Sequence, residues 1–185
     1  GLVGEVISRL ERKGLRLTCA FEPELPELLL DRTRIRQVLL NLLNNSLRFT
    51  DQGGVTITLR RNGQALELCV SDSGAGIAQQ DIPRVFNLFS QVGDEDWRRR
   101  EGSGLGLAIS QRFIQLPGGR MWLESELGQG SRVYFTLPLQ PGTSALELAS
   151  GADMGAARLR SLQRLVSQEQ VLLLVSADPQ AALRL

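Results

Sequence analysis

The feature that most constrains this chain is a pair of alternating segments. Val55, Ile57 and Leu59 are spaced by polar residues, and Leu66, Leu68 and Val70 repeat the rhythm. Such alternation gives each strand one apolar face. Asn62-Gly63 lies between them, and that dipeptide is the strongest short signal for a tight hairpin. A lone hairpin is at best marginally stable, so its apolar face needs a cover. Asp31 supplies an N-cap for a long helix running to about Phe49, followed by a turn at Gly53-Gly54. Further elements are expected in order: a helix over 2–12, a strand over 15–21 ended by Pro23 and Pro26, and a short helix over 81–89. A helix follows from Leu105 to Leu116, where Pro117 stops it. Two last strands, over 120–125 and 132–139, are joined by Leu127-Gly-Gln-Gly130. This order predicts an α+β fold, a two-layer sandwich with helices on one face of a mixed, mainly antiparallel sheet. The β–helix rhythm of a doubly wound fold is absent.

Composition excludes some functions and leaves others. Among 185 residues, 21 Lys and Arg balance 20 Asp and Glu, so no strong field points to nucleic acid or an anionic membrane. The two cysteines, Cys19 and Cys69, are too few for a disulfide framework or zinc site. Both fall in apolar contexts and read as free buried thiols, which fits a reducing, cytoplasmic compartment. No signal peptide or long apolar span is evident, and both ends look like cuts in a longer protein. After Pro141 the texture turns small and polar to about Ala157, as in a linker. Leu159, Leu162, Leu165 and Val166 then predict an amphipathic helix over 158–167, and Val171–Val175 a short buried strand.

Four motifs carry chemistry. On the long helix, Ile35, Val38, Leu39, Leu42 and Leu43 form the apolar face, bordered by a stripe of Arg34, Gln37, Asn41, Asn45 and Arg48. Asparagine is a mediocre helix former, so two at i and i+4 call for a reason. Their amide oxygens suit a hard cation such as Mg²⁺. Asp72 ends an apolar strand and can only accept hydrogen bonds when ionised, which suits an exocyclic amine such as adenine's. Gly74 and Gly76 allow positive φ and close approach of a flat base, with Ile77 for apolar contact. Gly102, Gly104 and Gly106 open a helix whose N-terminus suits an anion such as triphosphate. The cluster has neither the dinucleotide spacing nor the Gly-Lys-Ser/Thr end of a P-loop. Residues 90–101 lie between the glycine motifs and read as a lid, from which Arg98, Arg99 or Arg100 can reach phosphate. Phe86 and Phe89 read as packing that anchors its base.

Taken together, the motifs resemble those of two-component sensor histidine kinases. Asp31–Thr50 resembles their N box, Asp72–Ile77 the first glycine box, Phe86–Phe89 the F box and Gly102–Leu107 the second glycine box. Gly128–Ser131 and Phe135–Pro138 resemble the closing hairpin. The resemblance covers roughly 15–139 and implies a Bergerat-type domain that binds Mg-ATP under a lid. Residues 1–14 would be the end of a dimerisation helix or a connector, 15–140 the catalytic domain, 141–157 a linker and 158–185 the truncated start of a receiver-like segment. It implies that Asn45 is the main metal ligand with Asn41 beside it, and that Asp72 reads adenine. By motif, the ATP contacts would include Arg48, Gly74, Gly76, Ile77, Phe89, Arg100, Gly102, Ser103, Gly104, Leu105, Gly106, Leu107 and Thr136.

Three departures qualify this picture. The chain has no histidine, so a phosphoacceptor histidine must come from elsewhere. The implied partners are therefore a histidine-bearing dimerisation domain and a downstream receiver or response regulator, with no nucleic acid and no direct membrane contact. Pro117 shortens its helix, and Ser176-Ala177-Asp178 keeps one acidic residue where a receiver carries several. Related hydrolysing ATPases carry a water-activating glutamate at the place of Asn41, so little hydrolysis by this chain alone is expected. A hydrolysing ATPase and a degenerate regulatory domain are the alternatives.

Overall fold

The computed structural model describes residues 2–26, 28–88, 104–139 and 162–165. Three helices, α1 (Leu2–Arg12), α2 (Arg32–Phe49) and α3 (Gly106–Gln115), combine with strands β1 (Arg16–Phe21), β2 (Leu28–Asp31), β3 (Gly54–Asn62), β4 (Ala65–Asp72), β5 (Met121–Glu126) and β6 (Gly130–Pro138). A seventh strand, β7, spans Leu162–Leu165. The main sheet has the order β1-β3-β4-β6-β5. β1 runs parallel to β3, and every other pairing is antiparallel. The expected mixed, mainly antiparallel sheet is therefore present.

One sheet face meets the helices. Leu39, Leu42 and Leu43 of α2, Ile57 of β3, Val70 of β4, Ile114 of α3 and Phe135 of β6 are buried in one core. Removing each such side chain from water contributes about 1.5–3 kcal/mol, the main favourable term here. Val6 and Leu10 place α1 in the same core. The opposite face carries exposed Thr18, Ala20, Glu124 and Arg132. Trp122 and Tyr134 stack on it with ring centroids 5.0 Å apart.

α2 begins as its sequence dictates. Asp31 is extended at φ −75°, ψ 93°, and its carboxylate accepts the Arg34 N–H at 3.1 Å, capping the first turn. Its apolar stripe is buried as the periodicity requires. Cys69 is buried and Cys19 half-buried, and burial pushes both thiols up to about 11.

Several local expectations change. The hairpin strands close at Asn62 opposite Ala65, so the turn is Gly63-Gln64, one residue later than the Asn-Gly signal. Gly63 has φ +59°, the conformation a two-residue turn needs at its first position. Asn62 instead ends β3 and donates to Glu67 Oε2 at 2.8 Å. Among the described residues, 81–88 do not form a regular helix. A single 3₁₀ turn, Ile82–Arg84, forms instead, with Pro83 in its first turn, where the missing N–H is tolerated. Val85 is buried and Phe86 packs against the core without a longer helix. Within the amphipathic patch over 158–167, residues 162–165 are a strand paired antiparallel with β2, Leu28 opposite Leu165. β2 has no counterpart among the sequence expectations. The linker over 141–157 and the segment beyond 165 lie outside the described residues.

Candidate nucleotide site

The polar stripe of α2 faces α3. The Arg34 guanidinium lies over the Phe113 ring, 5.7 Å from its centre. Asn41 Nδ2 donates to Gly106 O and to Ser110 Oγ, both at 3.1 Å. Gly106, Ser110 and Phe113 share one face of α3 at helical spacing. Arg34 meets the C-terminal end of α3 and Asn41 its N-terminal end, so the helices are antiparallel. This arrangement brings the start of α3 beside the middle of α2. Gly104 adopts φ +67°, turning the chain into the helix, and Leu105 at the N-cap offers no side-chain cap.

The second end of the site is built around Asp72, at the end of β4. Its Oδ1 accepts the Gly74 N–H at 3.0 Å and the Ser131 N–H at 3.3 Å. Its Oδ2 accepts the Ser46 hydroxyl at 3.4 Å. Thr50 is fully buried, and its hydroxyl has no partner of standard geometry, yet it sits near enough to favour the charged carboxylate. Burial outweighs these donors and raises the Asp72 pKa above the usual carboxylate range. No cation is among the causes of that shift.

Glycines shape this end. A side chain at Gly74 would strike Phe49 O, and one at Gly76 would strike Glu126 O. Gly76 also adopts φ +70°, whereas Gly74 stays at negative φ, so its requirement is close approach alone. The loop after Asp72 is pinned to the β5–β6 hairpin. Ile77 N–H donates to Ser125 Oγ at 2.8 Å, and Gln79 Nε2 to Ser125 O at 2.7 Å. Ile77 itself packs against the core.

α2 connects the two ends. Asn41 touches α3 and Ser46 touches Asp72, and five residues of helix separate them by about 7.5 Å along the axis. Asn45 lies between them, half-buried, with no hydrogen bond tying up its amide among the described residues. Asn41 differs, because its oxygen accepts from Gln37 Nε2 at 3.1 Å while both N–H groups are used across α3.

The structure thus brings Asn41, Asn45, Asp72, Gly74, Gly76, Ile77, Gly104, Leu105, Gly106 and Leu107 into one region. Arg48 stacks over its neighbour Phe49, 4.9 Å from the ring centre. Thr136 is a correction. It pairs opposite Glu67, five residues along β4 from Asp72, or about 17 Å, and on the outer face of the sheet. Its hydroxyl accepts the Arg120 N–H at 3.0 Å. Phe89, Arg100, Gly102 and Ser103 lie outside the described residues, as does the lid expected over 90–101. Ser46, Thr50 and Ser131 were missed as site residues. The first two follow Asn41 at five and nine residues, on the flank of α2 that turns toward β4.

A mixed sheet covered by antiparallel helices, with a half-buried carboxylate acceptor at one end and a glycine-opened helix at the other, defines an ATP-binding sandwich. Residues 30–141 match the family described as histidine kinase-, DNA gyrase B- and HSP90-like ATPase, and the chain belongs to it. It is 41% identical over 143 residues to the sensor histidine kinase AruS of Pseudomonas aeruginosa, covering 75% of this chain and 14% of that protein. Sensor histidine kinase RcsC of Escherichia coli is 40% identical over 129 residues, covering 69% and 14%. Among solved structures, full-length ShkA with AMPPNP superposes at TM-score 0.64 and 35% identity, covering 75% of this chain and 29% of ShkA. The nucleotide-free catalytic domain of histidine kinase ThkA superposes at TM-score 0.63 and 27% identity, covering 76% and 93%. The chain is an ATP-binding domain of the sensor histidine kinase type, and it spans about 14% of AruS and RcsC. Among the described residues no helix is long and apolar enough to cross a membrane.

Proposed function

We propose that this chain presents Mg-ATP for phosphoryl transfer to a histidine carried outside it, as the catalytic module of a cytoplasmic signalling kinase. The observation that carries this reading is the span of α2, from the neutral-donor cage of Asp72 to the start of α3. Asp72 accepts from the adenine amine, while Gly76 and Ile77 let the base lie against the backbone. The N-terminus of α3, opened by Gly104, Leu105 and Gly106, holds phosphate oxygens.

The donor set fits magnesium in one particular way. Among the described residues no group of three or more His, Cys, Asp or Glu converges. The protein's contact to the ion there would therefore come from amide oxygen rather than from a cluster of carboxylates. Asn45 offers an amide oxygen to it, whereas the oxygen of Asn41 is already engaged by Gln37. When bound, Mg²⁺ neutralises phosphate charge during transfer. Asn41 holds α2 against α3 and so keeps Asn45 in register with the phosphate end.

The acceptor histidine belongs to a dimerisation domain of the parent protein, and a receiver or response regulator takes the phosphoryl group onward. Calorimetric titration with ATP, with and without Mg²⁺, tests the reading. The expected result is Mg²⁺-dependent binding that Asn45→Ala weakens about tenfold or more. Equal binding with and without the metal would remove the proposed role of Asn45.

A further inference from the structure

The three hydrogens of one ammonium group tie the N-terminal helix to the adenine end of the site. Lys13 sits just past α1, in a turn closed by Gly14 N–H to Glu11 O at 2.9 Å and Leu15 N–H to Leu10 O at 2.9 Å. Gly14 takes φ +76°, the left-handed conformation that commonly ends a helix. From there Lys13 Nζ donates to Leu47 O at 3.0 Å, Thr50 O at 2.7 Å and Asp51 Oδ1 at 3.0 Å. An ammonium has three donors, and all three are used. Two of the acceptors are carbonyls at the end of α2, a place where the helix itself provides no N–H partners. A cation there also complements the helix dipole.

The same turn of α2 builds the adenine pocket. The Ser46 hydroxyl reaches Asp72, and Phe49 O accepts the Ala75 N–H at 3.2 Å. Phe49 O also stands where a side chain on Gly74 would go. Leu47 and Thr50, which Lys13 holds, are thus interleaved with Ser46 and Phe49, which face the pocket. α1 is itself seated in the core through Val6 and Leu10, so the lysine projects from a fixed base. We propose that Lys13 is a positioning residue for the adenine end of the nucleotide site, and that displacement of α1 alters base recognition through it. This rests on the ATP reading above.

The test compares ATP with inosine triphosphate, which lacks the exocyclic amine that Asp72 would accept. Both affinities are measured by calorimetry on the 185-residue chain and on Lys13→Met, with thermal midpoints alongside. A folded Lys13→Met with its ATP-to-ITP affinity ratio lowered about threefold is the expected result. A lower melting point with an unchanged ratio overturns the proposal, because Lys13 then only caps a helix. If Lys13→Met does not fold, Lys13→Gln, which keeps an amide donor, gives the same readout with a smaller fall, and an unchanged ratio there overturns it equally. Failure of the unmutated chain to bind ATP would instead bring down the ATP reading, and this inference with it.

Discussion

β4 carries two desolvated carboxylates five residues apart, on opposite faces of the sheet, and they have opposite fates. Glu67 is 4% exposed, and its Oε1 accepts both Nε and a terminal nitrogen of Arg60, a two-donor contact. Its Oε2 accepts from Asn62, so charge and lone pairs are answered within the hairpin. Among the described residues, Asp72 is held by neutral donors, from Gly74, Ser131 and Ser46. Burial raises its pKa, while the guanidinium of Arg60 is itself held charged by hydrogen bonding to Glu67. The difference teaches that burial of an acid is a poor guide to function. A buried acid that faces a cation completes the fold, and one that faces only dipoles keeps capacity for a ligand.

The largest expected effect follows from removing that capacity. Asp72→Asn replaces an acceptor with a group that is part donor, and ATP affinity should fall about a hundredfold or more by calorimetry. Its thermal stability at neutral pH should equal or exceed that of the wild type, because the desolvated charge is gone. Glu67→Gln should do the reverse. It weakens a charge-assisted contact at a site where Arg60 can still reach water, so chemical denaturation should show a loss of about 1–2 kcal/mol. Its ATP affinity should stay within about twofold of wild type, since Glu67 lies on the other face. A Glu67→Gln variant that lost ATP binding would erase the distinction.

The smallest effect is in pH. A carboxylate whose folded pKa is raised favours folding below its unfolded pKa and loses that contribution as pH rises through the folded value. The stability advantage of Asp72→Asn should therefore be full at neutral pH and close as the solution is acidified through the raised Asp72 pKa. Melting curves of both proteins across that window check the sign. An advantage that persists unchanged at low pH would mean that Asp72 is not desolvated as the structure describes.

The legible parts of the molecule are those written in short-range pattern. α2 was readable because its apolar stripe, its Asp31 cap and its paired asparagines all lie within one helix. The β3–β4 hairpin was readable from alternation, although its turn slid by one residue because Gly63, rather than Asn62, takes the left-handed position. β2 was not readable, since Leu28–Asp31 is four residues long, has no alternation and gains its pairing from β7. The Asp72 cage was half legible. The aspartate and glycines announce themselves, but Ser46 and Ser131 reach it from 26 and 59 residues away. Thr136 misled because its motif neighbour Phe135 points into the core, and alternation then turns the threonine outward. Residue type within a motif does not reveal which way a strand faces.

The two desolvated thiols, Cys69 buried and Cys19 half-buried, have a practical consequence for watching the nucleotide site at work. With pKa values pushed up to about 11, only roughly one in ten thousand of either is thiolate at neutral pH. The thiolate is the nucleophile that attacks maleimides and iodoacetamides, so Cys19 and Cys69 should react slowly with them. A cysteine introduced at an exposed position beside the first glycine loop, such as Gln80, would then be the fast-reacting site. A fluorophore or spin label placed there would report on that segment against a nearly blank background, without first removing Cys19 or Cys69.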